Sequence, residues 1–161
     1  MNEKAIDLLL DSIFFEHWAR YFCFQEIENS DDAKIVIPEI LWEETKAQVP
    51  HLYPLMQELQ NSLICLDDVR SRLFSFVAKQ LNLNENEFAE TIEKISVNSN
   101  FNRKLNVFYG FVQEQADKDA EFEDNLSDEE YKKYREELTI PLFLTWIESF
   151  YTWAKDNNYS L

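Results

Sequence analysis

The sequence predicts an all-α fold, a single domain over residues 1–161 that packs as an irregular bundle of six to eight helices. The chain contains one glycine, Gly110, which argues against sheets joined by tight glycine turns. Apolar residues make up 45% of the chain, and many recur at helical spacing. Because a chain of this length buries about 70% of its unfolded surface, one core is enough without disulfides or metal.

The first half of the sequence predicts four helices, separated by polar or proline-containing breaks. These helices cover residues 3–28, 38–48, 54–66 and 69–81. The first has apolar side chains on two faces, which is typical of a central helix. The polar segment 28–33 predicts a turn, and residues 35–37 form either an extended connector or one strand. Pro38 and Pro54 fit the first turns of their helices, and residues 67–68 are expected to cap the fourth.

The second half predicts four further helices. They cover residues 84–96, a segment that begins at 99 or 100, residues 127–138 and residues 140–156. Two pairs have capping-box spacing, which predicts helix starts: Asn84 with Glu87, and Ser127 with Glu130. Thr139 is expected to cap the last helix, with Pro141 in its first turn.

The charge of the chain limits its partners. Its 31 Asp and Glu against 15 Lys and Arg give a formal net charge of -16, and residues 114–130 carry net -8 of it. Such a charge repels nucleic acid and anionic membranes, and the densest basic groups are flanked by acids. The uncharged apolar run 138–147 is too short to cross a bilayer. We therefore expect a basic protein or basic segment as partner, with no nucleic acid and no membrane.

Several kinds of chemistry lack the residues they need. Phosphate-binding loops require several glycines, and helical carboxylate metal sites require Glu-x-x-His pairs, which the sequence does not contain. We predict no cofactor and no metal. Cys23 and Cys65 form no CxxC pair and are interpreted as small buried hydrophobes. Asp7 and Asp11 interrupt the apolar start of the chain, unlike a secretory signal, which predicts a cytoplasmic location.

The two histidines give a second hypothesis. His17 has aromatic neighbours and is interpreted as a core or surface residue. His51 lies in the two-proline break, where loops often carry sites. With Cys65 and the aspartates at 67–68, it would supply a base, a thiol nucleophile and an orienting acid. The alternative function is therefore a small metal-dependent or thiol hydrolase that uses His51 with nearby carboxylates.

The acidic window 114–130 has three interpretations: a solvated face, a divalent-cation site or a docking surface for a basic partner. A calcium loop needs a glycine at its bend, and the window contains none. Phe122 among the acids favours docking, because an isolated ring can anchor a partner. Glu121, Phe122, Glu123 and Asp124 are thus candidate partner-binding residues. The leading hypothesis is a non-enzymatic acidic helical binding protein, such as an inhibitor, an immunity or antitoxin-like factor, or an assembly chaperone.

The last predicted helix carries two apolar rows. The second row contains Leu142, Trp146 and Trp153. Either this helix is sandwiched within its own bundle, or Trp146 and Trp153 are exposed and bind another protein or a second copy. The exposed alternative adds a third hypothesis, a homo-oligomeric structural protein.

Two segments in this half are LNVFYGFVQEQ and, after the acidic stretch, PLFLTWIESFYTWA, which together span residues 105–154. The pattern is similar to the last two helices of the cytoplasmic chaperones that mature molybdenum-containing redox enzymes. The resemblance implies an acidic, all-helical protein. That family has a Pro-Asp-His type segment before these helices, where this chain has SVNSNFNRK, so the resemblance assigns no site residue.

Overall fold

The computed structural model describes residues 3–65 and 67–161. Within these residues the chain forms eight α-helices and one two-stranded hairpin, which confirms the predicted all-α irregular bundle. The helices are α1 (Glu3–Phe22), α2 (Ile40–Gln48), α3 (Tyr53–Leu59), α4 (Asp68–Gln80), α5 (Glu85–Ser96), α6 (Ser99–Glu123), α7 (Asp128–Glu137) and α8 (Phe143–Asp156). The strands are β1 (Phe24–Glu26) and β2 (Ala33–Ile35), and a short 3-10 helix covers Pro50–Leu52.

The core forms around α1, whose two apolar faces are both covered. Phe14 packs against Phe108 of α6 at 4.2 Å and against Phe150 of α8 at 5.7 Å between ring centroids. Phe15 meets Phe143 of α8 at 5.1 Å. Transfer of each of these rings out of water lowers the free energy of the folded state. The hydrophobic effect therefore holds α1 between α6 and α8.

The hairpin corrects the prediction of a helix over residues 3–28. Helix α1 ends at Phe22, and β1 pairs antiparallel with β2 in the register Phe24 with Ile35. Asn29 adopts a left-handed backbone with φ of 61° in the intervening turn. The helical composition of 23–28 is overridden because pairing with β2 buries Ile35 and satisfies backbone groups on both strands.

Segment 61–64 explains why α3 is shorter than predicted. Helix α3 ends at Leu59, whereas the sequence predicts an end at Leu66, which lies outside the described residues. The Asn61 amide donates to the Ile35 carbonyl at 2.8 Å, and the Ile64 amide donates to the Ala33 carbonyl at 2.8 Å. The chain here follows β2, and these backbone bonds replace the helical ones.

The starts of the remaining helices show which capping predictions from local sequence are correct. Both predicted capping boxes are confirmed, Asn84 with Glu87 and Ser127 with Glu130. Thr139 does not cap α8: that helix starts after Leu142, and the Pro141 carbonyl accepts a hydrogen bond from the Trp18 indole at 2.8 Å. Asp67 precedes α4, but its side chain makes no capping hydrogen bond. No helix within 3–65 and 67–161 has both the length and the apolar character needed to cross a membrane.

Candidate interaction surface on the acidic hairpin

The acidic window folds as a helical hairpin, which we call the acidic hairpin and define as residues 114–137. It consists of the second half of α6, the turn 124–127 and α7. Glu121 and Asp124 are exposed and Glu123 is half-buried. None of these three forms an ion pair with another described residue. Within the acidic window, Lys118 pairs only with Glu114, at 3.3 Å. The negative charge therefore remains available to a partner.

Phe122 lies on the same part of α6. Its side chain is 53% exposed, and its ring packs against Tyr134 of α7 with centroids 5.3 Å apart. The contact orients the ring while leaving about half of its surface in water. An exposed aromatic ring that is held in place on one side is a suitable anchor for a protein partner.

A cavity of about 380 Å³ lies between α1, β1, α6 and α7, and Tyr134, which contacts Phe122, forms part of its lining. The side chains that line it include two arginines, two carboxylates, three tyrosines and several apolar groups: Arg20, Tyr21, Phe22, Phe24, Gln115, Ala116, Asp119, Ala120, Glu123, Tyr131, Tyr134, Arg135 and Leu138. The Tyr21 hydroxyl donates a hydrogen bond to the Asp119 carboxylate. Burial raises the pKa of Asp119 above its ordinary value.

The two arginines in the cavity wall are held differently. Arg20 binds Glu16, with 2.5 Å between Nη2 and Oε1. Arg135 lies over the Phe24 ring at 4.2 Å and has no carboxylate partner among the described residues. A guanidinium stacked on a ring keeps its N–H donors in its own plane. The cavity wall thus offers both signs of charge next to aromatic surface.

The Glu16 side chain is a buried charge behind this wall. It is 0% exposed, and Glu16 Oε2 and Arg20 Nε have no hydrogen-bond partner. His17 Nδ1 bonds the Ile13 carbonyl at 2.9 Å, and the ring packs between Phe108 and Tyr109. Burial lowers the pKa of His17, outweighing the neighbouring Glu16 carboxylate, which raises it. His17 is therefore a packed residue whose charged form is disfavoured by burial.

Burial of Trp146 decides between the two alternatives for the last helix, a helix sandwiched in its bundle or an exposed row of Trp146 and Trp153. Trp146 is 2% exposed, and its indole donates to Gln115 at 2.9 Å. Trp146 is covered because Phe108 and Phe111 of α6 pack against this face of α8. Trp153 is half-buried and donates to the Glu114 carboxylate. Trp146 has no surface to offer a partner or second copy, so the sandwiched alternative holds for it.

The histidine and the cysteine of the hydrolase hypothesis contact different aspartates, Asp11 and Asp32. His51 Nε2 is 3.3 Å from Asp11 Oδ2, and both side chains are about half exposed. The thiol of Cys65 bonds Asp32, which raises the Cys65 pKa and disfavours the nucleophilic thiolate. In residues 3–65 and 67–161, no three His, Cys, Asp or Glu side chains come together as metal ligands. Cys23 is buried as predicted, and burial raises its pKa to about 12, whereas Cys65 is exposed, contrary to the prediction.

Asp119, Tyr21, Phe24 and Arg135 were not among the predicted site residues. The Tyr21–Asp119 bond joins residues 98 positions apart, which no local pattern indicates. One signal was present in the sequence: Tyr131, Tyr134, Arg135 and Leu138 follow the i, i+3, i+4, i+7 spacing of a helix face.

Comparison of the chain with protein-family models, with curated proteins and with solved structures gives no match. The resemblance of residues 105–154 to chaperones of molybdenum-containing enzymes therefore stays a prediction. The functional interpretation depends on the geometry of the acidic hairpin.

Proposed function

We propose that this chain is a non-enzymatic binding protein that recognises a basic surface or segment of another protein through the acidic hairpin. One observation carries the proposal: Glu121, Glu123 and Asp124 adjoin the half-exposed Phe122 along the chain, and none of the three carboxylates is neutralised by a described cation. In such a binder, acting as an inhibitor, an immunity-like factor or an assembly chaperone, the acidic hairpin would be the recognition element. We place this binding in the cytoplasm as part of the same proposal.

The ring and the carboxylates have different roles in this proposal. Exposed carboxylates raise the association rate of a cationic partner and reject anionic ones, but each adds little affinity. Phe122 supplies apolar area that a partner buries. The complex should therefore be sensitive to salt and also to removal of the ring.

The test compares three baits in affinity purification at about 0.05 M and about 0.5 M salt. The first is the wild type, and the second changes Glu121, Glu123 and Asp124 to lysine. The matched control changes Glu44, Glu90 and Glu93 to lysine, which alters the net charge equally. These control residues are exposed and form no ion pair with a described residue.

The expected result is a basic protein retained by the wild type and by the control at low salt. Reversal of the hairpin charges should weaken its binding by about tenfold or more, and high salt should weaken all three complexes. Equal retention by the hairpin variant and the wild type would contradict the proposal. So would a partner whose binding is equally strong at both salt concentrations.

A further inference from the structure

Helix α7 is held loosely by the rest of the molecule. Among the eight helices of the described chain it alone contains no buried residue. Its side chains toward the body, Tyr131, Tyr134 and Arg135, are half-buried, and Leu138 follows at the same spacing. This i, i+3, i+4, i+7 pattern is how an amphipathic helix is recognised in a groove. Helix α7 therefore sits in its groove in the manner of a docked ligand.

The fit between α7 and its groove is incomplete. The 380 Å³ cavity separates α7 from α1 and α6, a second cavity of about 630 Å³ opens between α7 and β1, and a third of about 220 Å³ lies beside Leu138. Arg135 lines all three cavities. Side chains that border empty space lose the dispersion contacts that a close-packed interface supplies. The groove can thus accommodate more side-chain volume than α7 provides.

The groove has the composition of a helix-binding site. Its apolar surface includes Phe22 and Phe24, with the small residues Ala116 and Ala120 on the α6 side. Its carboxylates are Asp119 and Glu123 in the first cavity, and Glu26 lines the second. Small residues on α6 allow close approach of another helix, and the carboxylates favour a cationic one.

The charge of α7 is poorly matched to this groove. The helix carries the acids Asp128, Glu129, Glu130, Glu136 and Glu137. Of these acids, Glu136 lines the second cavity together with Glu26 of β1, and like charges at one cavity raise the free energy of the docked state. The helix also carries Lys132, Lys133 and Arg135, of which Lys132 and Arg135 line the second cavity. The Arg135 guanidinium stacks on Phe24 and shows where the groove accepts a cation.

We infer that the groove under α7 is a docking site for a basic amphipathic helix of the partner, which displaces α7 when it binds. The inference rests on the proposed function and specifies the form of the partner: apolar or aromatic residues at i, i+3 and i+7, an arginine at i+4, and basic residues on the flanks. Charge complementarity selects this occupant, because the groove carboxylates of Asp119, Glu123 and Glu26 form no ion pair with a described residue and attract a basic helix. In the free protein α7 acts as an internal competitor and lowers the apparent affinity by the fraction of molecules in which it is docked.

A synthetic peptide tests the inference on the intact chain. The probe carries residues 127–139 with Glu129, Glu136 and Glu137 changed to lysine, which makes it basic while retaining the anchors. The control peptide has the same three lysines, with serine at the positions of Tyr131, Tyr134 and Leu138. Hydrogen exchange of the backbone amides of α7 is measured as each peptide is added.

Displacement has a distinctive signature. Saturation with the probe should increase hydrogen exchange throughout residues 128–137 of the protein, while the control peptide leaves it unchanged. Tyr131→Ser with Leu138→Ser in the protein weakens α7 docking and should tighten probe binding about tenfold. Unchanged or slower exchange in α7 at saturation would overturn the inference. Equal affinity of the probe for the Tyr131→Ser, Leu138→Ser variant and for the wild type would overturn it as well.

A second variant separates this inference from the proposed function. Ala116→Trp fills the first cavity, and thermal unfolding checks that the variant folds. It should abolish probe binding, and as a bait it should lose the basic partner. A folded Ala116→Trp bait that retains the partner, while the Glu121, Glu123 and Asp124 reversal loses it, would refute the groove and leave the proposed function intact. Retention by both baits would refute both.

Discussion

The two halves of α6 show a contrast between the aromatic core and the acidic hairpin. In the first half, Phe108 is 0% exposed and packs against Phe14, Trp146 and Phe150. In the second half, about half of the Phe122 side chain is in water, and its ring packs against the ring of Tyr134. The same helix therefore contributes to the buried aromatic core and to a surface whose aromatic ring is only half covered.

This contrast shows how stability and recognition are divided along one helix. Burial of aromatic area between α1, α6 and α8 supplies a large favourable free energy and fixes the first half. Helix α7 buries no side chain, so it is expected to open at a small fraction of the global unfolding free energy. A segment that opens easily can exchange its internal contacts for those of a partner.

The largest expected effect is the difference in stability loss between a core ring, Phe108, and the half-exposed ring of Phe122. Phe108→Ala removes a fully buried ring and should lower the free energy of unfolding by about 3–5 kcal/mol, whereas Phe122→Ala should cost less than about 1 kcal/mol. Urea denaturation of both variants measures the difference. Similar losses for the two would show that the hairpin is as well packed as the core.

The next effect concerns the ion pair between the buried Glu16 and the partly exposed Arg20. Arg20→Met leaves the Glu16 carboxylate buried without its cation and should destabilise the fold by about 2–3 kcal/mol. The double variant Glu16→Met with Arg20→Met removes both charges and should cost less than about 1 kcal/mol. The same denaturation experiment distinguishes them. A double variant as unstable as the single one would mean that the pair itself stabilises the core.

The capping boxes of α5 and α7 provide a matched comparison. Ser127→Ala and Asn84→Ala each remove an N-cap, with a local cost of about 1 kcal/mol. Because α7 opens independently in our interpretation, Ser127→Ala should increase hydrogen exchange in 128–137 without changing the urea midpoint. A lower midpoint for Ser127→Ala would show that α7 unfolds together with the core.

The smallest effect is a pH dependence of the core. Burial holds the folded pKa of His17 below its ordinary 6.5, so the unfolded chain binds the proton more readily. Stability should therefore fall as the pH is lowered through about 6.5 toward the folded pKa. His17→Gln should lose less stability than the wild type between about pH 7 and pH 5. Identical declines for both proteins would assign the dependence to other groups.

Local signals in the sequence determined most of the helices. Apolar spacing predicted a central first helix, and the pairs Asn84–Glu87 and Ser127–Glu130 predicted two starts to the residue. The concentration of acids in 114–130 was also evident from the sequence. These features depend on interactions within one or two helical turns, so a short window of sequence contains all the groups that act.

The tertiary structure decided which faces are covered. The sequence allowed Trp146 to be exposed or buried, and packing of Phe108 and Phe111 onto α8 buried it. Pairing of β1 with β2 ended α1 at Phe22, although the following residues favour a helix. The groove under α7 likewise arises where α1, β1 and α6 meet. Such contacts join segments far apart in the chain, and their free energy exceeds the small local propensities that a sequence pattern reports.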